Sequence, residues 1–269
     1  TALLQMRTRL AEQVVALREA DLARQRVESE LEVARHIQEA LLPSSPPRLD
    51  DFEVRGWSRE MDRVGGDFYF WMGTQRVTVI IADVTGHGLA SALIAASCRA
   101  RAEAVMDGDP LLSHALARLN TIMSRDLVEG RFVTLAAVAI DETTSTVSVG
   151  SAGHGPILHL DAATGVVSRI DTTGAPLGVI PDQHFDDDIT VTMRPGDLIL
   201  LISDGITERT NPQGELYGEA RLSRLLERGV TPDTDAEAIL ELIRDSVETF
   251  ADGIPQADDS TAVVIRKRA

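Results

Sequence analysis

Ile80-Ile81-Ala82-Asp83-Val84-Thr85-Gly86-His87-Gly88 is an apolar run that ends on an acidic residue and breaks at once into glycines. Residues 77–82 are β-branched or small and bounded by breakers, which predicts a short buried strand. Asp83 then falls at the strand's carboxyl end, and Gly86 and Gly88 allow a tight turn in which backbone groups approach a ligand closely. Beyond it, Leu89, Leu93, Ala96 and Ala100 recur at helical spacing, so a helix N-terminus points back toward the aspartate. A carboxylate beside that helix end suits a bound cation or phosphate. One aspartate so placed also serves as a plain turn residue or helix cap, so the reading depends on partners elsewhere.

Such partners exist. The apolar run 198–202 ends on Ser203-Asp204-Gly205, and Asp258-Asp259 introduces another at 261–265. Upstream, Arg63-Val64-Gly65-Gly66-Asp67-Phe68-Tyr69 sets two glycines before a further aspartate, after an alternating strand at 52–57. Helices are predicted at 89–106 and 111–127, strands at 132–140, 146–150, 156–160, 166–170 and 189–193, then helices at 218–227 and 235–250. Strands and helices segregated in this way imply an α+β fold, with antiparallel sheets packed face to face as a β-sandwich flanked by helices.

Composition narrows the function. The 269 residues carry 42 acidic against 26 basic side chains, a formal charge of −16, which argues against nucleic acid as a partner. No apolar run approaches the ~20 residues of a membrane helix, and no basic-then-apolar leader opens the chain. Cys98 is the single cysteine, placed on the helix after Gly88, where it reads as a small buried hydrophobe. A cytoplasmic protein, or the cytoplasmic part of a longer one, is expected.

Residues 1–42 carry Leu3, Leu10, Leu17, Arg24, Leu31 and Gln38 at heptad spacing, interleaved with Met6, Gln13, Ala20, Val27, Ala34 and Leu41. This predicts a coiled-coil linker helix, read as a parallel homodimer in preference to a helix folded back on its own domain. Pro43-Ser44-Ser45-Pro46-Pro47 ends it, because proline lacks the amide and clashes with the preceding turn. The expected domains are therefore 1–42 and 43–269.

If the strand ends converge, Asp67, Asp83, Asp204 and Asp258 share one cleft, and carboxylates so close do not all stay ionised without a cation. Oxygen-only ligands select hard ions such as Mg²⁺ or Mn²⁺, and two such ions clamp a phosphoryl group for in-line attack by water. The six histidines are scattered, with no zinc spacing among them.

Val64-Gly65-Gly66-Asp67-Phe68-Tyr69, Asp83-Val84-Thr85-Gly86-His87-Gly88, Ala152-Gly153-His154, Gly174-Ala175-Pro176-Leu177-Gly178, Ser203-Asp204-Gly205 with Glu208, Gly214-Glu215-Leu216-Tyr217-Gly218, and Asp258-Asp259-Ser260-Thr261 follow one another in order. This set resembles the PPM (protein phosphatase 2C-like) serine phosphatases, in the branch typified by SpoIIE and RsbU. The preceding His36-Ile37-Gln38-Glu39-Ala40-Leu41-Leu42-Pro43 resembles the helix that joins a sensor domain to the phosphatase in that branch.

The resemblance implies a helix-flanked β-sandwich with two Mn²⁺ or Mg²⁺ ions at one edge. It implies that Asp83 bridges both ions, that the Val84 carbonyl binds one, that Asp204 and Asp258 complete the other, and that Asp67 is a direct or water-mediated ligand. The implied substrate is phosphoserine or phosphothreonine on a STAS-domain regulator of an anti-sigma factor, with a sensor or receiver domain upstream. Two residues depart from the pattern: Phe70 replaces a second aspartate after the aromatic, and Ser151 replaces the asparagine before Ala-Gly-His.

His87 is a candidate proton donor to the leaving serine alkoxide, or else orders its loop; His154 reads more as a loop-ordering residue. Arg63 is either a phosphate clamp or a solvated charge. The rival function from another class is a pseudophosphatase scaffold that dimerises through residues 1–42 and sequesters a partner. A metal-dependent nuclease would need a basic groove that this composition does not supply.

Overall fold

The computed structural model describes residues 2–74, 76–128 and 130–269, without the side chains of residues 2–5, 8, 11, 12 and 14. A long helix, α1 (Ala2–Leu41), leads into β1 (Phe52–Arg59), β2 (Phe68–Met72) and β3 (Val77–Val84). Two helices follow, α2 (Leu89–Met106) and α3 (Leu112–Asp126). Next come β4 (Val133–Asp141), β5 (Thr146–Ala152), β6 (Ile157–Asp161), β7 (Val166–Ile170), β8 (Ile189–Thr192) and β9 (Leu198–Ile202). The chain closes with α4 (Asp204–Thr207), α5 (Glu219–Gly229), α6 (Ala236–Ala251) and β10 (Ser260–Lys267).

The strands form two five-stranded sheets, ordered β1-β10-β9-β6-β7 and β2-β3-β4-β5-β8, and every strand pairing is antiparallel. Side-chain alternation builds three apolar layers. Val77, Val79 and Ile81 face the other sheet, meeting Ile199, Leu201, Val263 and Ile265. Ile80, Ala82 and Val84 point the opposite way, onto α2 and α3. Leu198, Leu200 and Ile202 do the same on the other side, under α5 and α6. Each fully buried Ile, Leu or Val contributes about 1.5–3 kcal/mol. The expected α+β sandwich flanked by helices is what the chain forms. Of the short elements, β2 behind the Gly-Gly-Asp step was expected only as a strand edge at Asp67, without bounds, and the single turn α4 was not expected.

The final turns of α1 dock on the chain's own domain. Gln38 and Leu41 lie against Phe68, Ala95 and Arg99. The Gln38 amide donates to the Gly65 carbonyl at 2.7 Å and accepts from the Gly65 N–H at 3.1 Å. Earlier in the helix the apolar residues stand open, with Leu10 62% and Leu17 64% exposed. The heptad stripe thus changes use along its length, solvent-facing at first and half-buried by its own domain from Leu31 on. Leu3 lies outside the described side chains.

Candidate metal centre

Strand ends from the two sheets meet at one edge of the sandwich. Phe68 of β2 pairs with Ala82 of β3, which sets Asp67 beside Asp83 across the ladder. Asp204 opens α4 directly after β9, and Asp258 lies just before β10, which pairs with β9. The Ser203 N–H donates to the Thr261 carbonyl at 3.0 Å, joining these last two segments.

The carboxylates feel one another. Burial first, then the charges of Asp204, Asp258 and Asp259, push the Asp83 carboxyl up to about 7. Asp67, 5% exposed, is held well above the usual carboxylate range by burial and then by the charge of Asp83. Asp204 reaches the surface but is raised too, by partial desolvation and then by Asp258 and Glu208. Carboxylates driven toward neutrality by each other favour a bound cation.

Among the described residues, no three His, Cys, Asp or Glu side chains already close into a ligating cluster. The donors still fit hard divalent ions in two respects. They are all oxygens, and Asp67 Oδ2 is buried without a hydrogen-bond partner. The backbone fits as well: a Cβ on Gly66 would come within 2.7 Å of the Val84 carbonyl, the expected backbone ligand.

Gly86, at φ +83°, takes a left-handed turn that a side chain would strain. Arg131 braces that turn by donating to the Thr85 carbonyl and to Ser91 Oγ. His87 is exposed on the turn. His154 is buried, with Nδ1 2.9 Å from Thr134 Oγ1, and burial lowers its pKa to about 4, so its ring is neutral at pH 7. Thr134 sits opposite Asp83 in the β3–β4 ladder. Arg63 pairs with Glu32 of α1 at 3.3 Å, which ties it to the helix.

Both departures from the family pattern have local explanations. Phe70 is buried on the helix-facing side of β2 against Phe68, with the Arg99 guanidinium 5.1 Å above its ring. Ser151 Oγ donates to the His154 carbonyl at 2.8 Å and accepts its N–H at 3.1 Å, closing the turn.

The sequence gives no role to Arg131 and Thr134, which act on the site from remote positions in the chain, or to Asp259. Asp259 is buried, and it accepts N–H groups from Met61 and Gly66 at 2.7 Å and from Asp67 at 3.4 Å. Its only sequence signal was its place beside Asp258.

Two antiparallel sheets between helices, with acidic strand ends at one edge, define a PP2C-type fold. The chain matches the SiaA-PP2C domain of Pseudomonas aeruginosa with a TM-score of 0.77, covering 91% of this chain and 97% of that one at 20% identity. The family model of stage II sporulation protein E (SpoIIE) matches residues 73–268, and the chain belongs to that family. It is 26% identical to phosphoserine phosphatase RsbU of Bacillus subtilis over 91% of this chain and 72% of RsbU. It is 27% identical to protein IcfG of Synechocystis over 88% of this chain and 41% of IcfG, so it spans less than half of that relative. No described helix is long and apolar enough to cross a membrane.

Proposed function

We propose that this chain is a metal-dependent protein serine/threonine phosphatase that hydrolyses phosphoserine on a STAS-domain partner in a partner-switching pathway. The observation that carries the reading is Asp83, pushed to about 7 by burial and by the acidic groups around it. Membership of the SpoIIE family and likeness to a phosphoserine phosphatase support it.

Asp67, Asp83, Asp204, Asp258 and the Val84 carbonyl would hold two Mn²⁺ or Mg²⁺ ions. Bound there, the ions would supply Lewis acidity for phosphoryl transfer to water. The protein's own part is to hold the carboxylates on rigid strand ends and to shape the Thr85–Gly88 turn through Arg131. His87, exposed on that turn, is the proton donor to the leaving serine alkoxide. Residues 1–42 serve as a linker that pairs with a second copy in parallel and carries signals from a sensor or receiver domain, with 43–269 as the catalytic domain, in the cytoplasm.

The test is Mn²⁺- or Mg²⁺-dependent phosphate release from p-nitrophenyl phosphate and from a phosphorylated STAS protein, with light scattering for the dimer. A folded protein inactive on both substrates with either metal overturns the enzymatic reading in favour of the scaffold.

A further inference from the structure

Asp259 belongs to the sheet that carries Asp204 and Asp258, yet its side chain holds the loop that carries Asp67. Its Oδ1 accepts from the Met61 N–H at 2.7 Å, and its Oδ2 from the N–H groups of Gly66 at 2.7 Å and Asp67 at 3.4 Å. That loop leaves β1 in one sheet and enters β2 in the other. The Asp259 main chain faces the remaining segment: Ser203 Oγ donates to its carbonyl at 3.4 Å, and a Cβ on Gly205 would collide with the same carbonyl oxygen. Asp258 is its chain neighbour. Three of the four site aspartates therefore hang on one residue, and the fourth, Asp83, is set by Asp67 across the β2–β3 ladder.

We propose that Asp259 is a positioning residue that fixes the spacing between the carboxylates of the two sheets and thereby sets the metal affinity of the site. The inference rests on the metal-dependent reading above. A carboxylate suits the task because it offers two acceptor oxygens and no donor, and the three surrounding groups are all N–H donors. An asparagine offers one acceptor and would turn its amide N–H toward another N–H. Gly65 is part of the same fit, since a Cβ there would strike Asp259 Oδ2.

The experiment compares Mn²⁺ binding by calorimetry, with the Mn²⁺ dependence of p-nitrophenyl phosphate turnover, in the parent, Asp259→Asn and Gly65→Ala. Removing a group that orients metal ligands costs about 10- to 100-fold in metal affinity. The expected result is weakening of that order in both variants, with turnover recovering to within a few-fold at saturating Mn²⁺. A residue that only supports the fold would lower the melting temperature while the folded protein kept its parental Mn²⁺ affinity, and that result overturns the proposal. If Asp259→Asn does not fold, Gly65→Ala decides by the same criterion. A parent that binds no Mn²⁺ refutes the metal-dependent reading itself, an outcome distinct from equal binding in parent and variants.

Discussion

The two sheets bring unlike pairs of aspartates to the site. The β2–β3 side contributes Asp67, 5% exposed, and the half-buried Asp83. The β9–β10 side contributes Asp204 and Asp258, both at the surface. Burial is the first cause of the raised Asp67 and Asp83 values, and it is most complete at Asp67. Asp204, though exposed, is raised as well, by partial desolvation and then by Asp258 and Glu208. On the metal-dependent reading proposed above, a cation would relieve the crowding at the more buried pair, and the exposed pair would leave the cleft open to a substrate.

The largest test of that contrast is catalytic. Asp83→Asn removes the carboxylate at the centre of the coupled set, and turnover should fall on the order of 10³-fold or more, since several kcal/mol of charge stabilisation is lost. Near-parental turnover in a folded Asp83→Asn protein would sink the mechanism.

Stability should change in the opposite sense. With metal chelated, Asp83→Asn removes a partly buried charge and its repulsion, and the melting temperature should rise by about 2–4 °C for each kcal/mol relieved. Asp258→Asn, at an exposed position, should move it by no more than about 2 °C. Equal shifts in both variants would erase the distinction between the pairs.

A pH series sharpens the same point. Asp83 has a folded pKa of about 7 against an ordinary value of 3.8, so between those values the folded state keeps a proton that the unfolded chain has released. Its stabilising contribution is complete below about pH 4 and is lost as pH rises through about 7. Without metal, the parent should therefore lose stability relative to Asp83→Asn as pH goes from 5 to 8, and saturating Mn²⁺ should reverse the difference by stabilising the parent. A gap between parent and variant that is constant across that range contradicts the assignment.

The exposed and buried aspartates were equally visible in the sequence, because each follows or precedes an apolar run, but their difference was not. Residues 79–82 are apolar on both faces, so no alternation marks which side chains meet the other sheet and which meet helices. The bounds of β2 were hidden because Phe68–Met72 is short and aromatic, and its strand character depends on the Phe68–Ala82 pairing. Asp259 looked like a companion of Asp258, since its partners Met61, Gly66 and Asp67 lie nearly two hundred residues earlier. The heptad stripe was legible throughout α1, but spacing alone does not say what covers a stripe, and Gln38 and Leu41 meet their own domain.

The smallest expected effect uses Cys98 as a reporter for the buried pair. The thiol is 0% exposed, on the face of α2 that shares an apolar cluster with Phe68, Ile80 and Ala82 of the sheet leading to Asp67 and Asp83. Burial pushes it up to about 12, so it is neither charged nor accessible in the closed fold. Thiol reagents react with the thiolate, so labelling needs a local opening that releases α2 from the sheet. Charge on the partly buried Asp83 carboxylate favours such an opening, because parting the strand ends exposes it to water. At pH 8 without metal, Asp83→Asn should therefore label several-fold more slowly than the parent, while Asp258→Asn should label at the parental rate. Mn²⁺ should slow the parent to the rate of Asp83→Asn. Identical labelling rates in all three proteins would mean that the strain at the β2–β3 pair stays local and does not load the helix packed behind it.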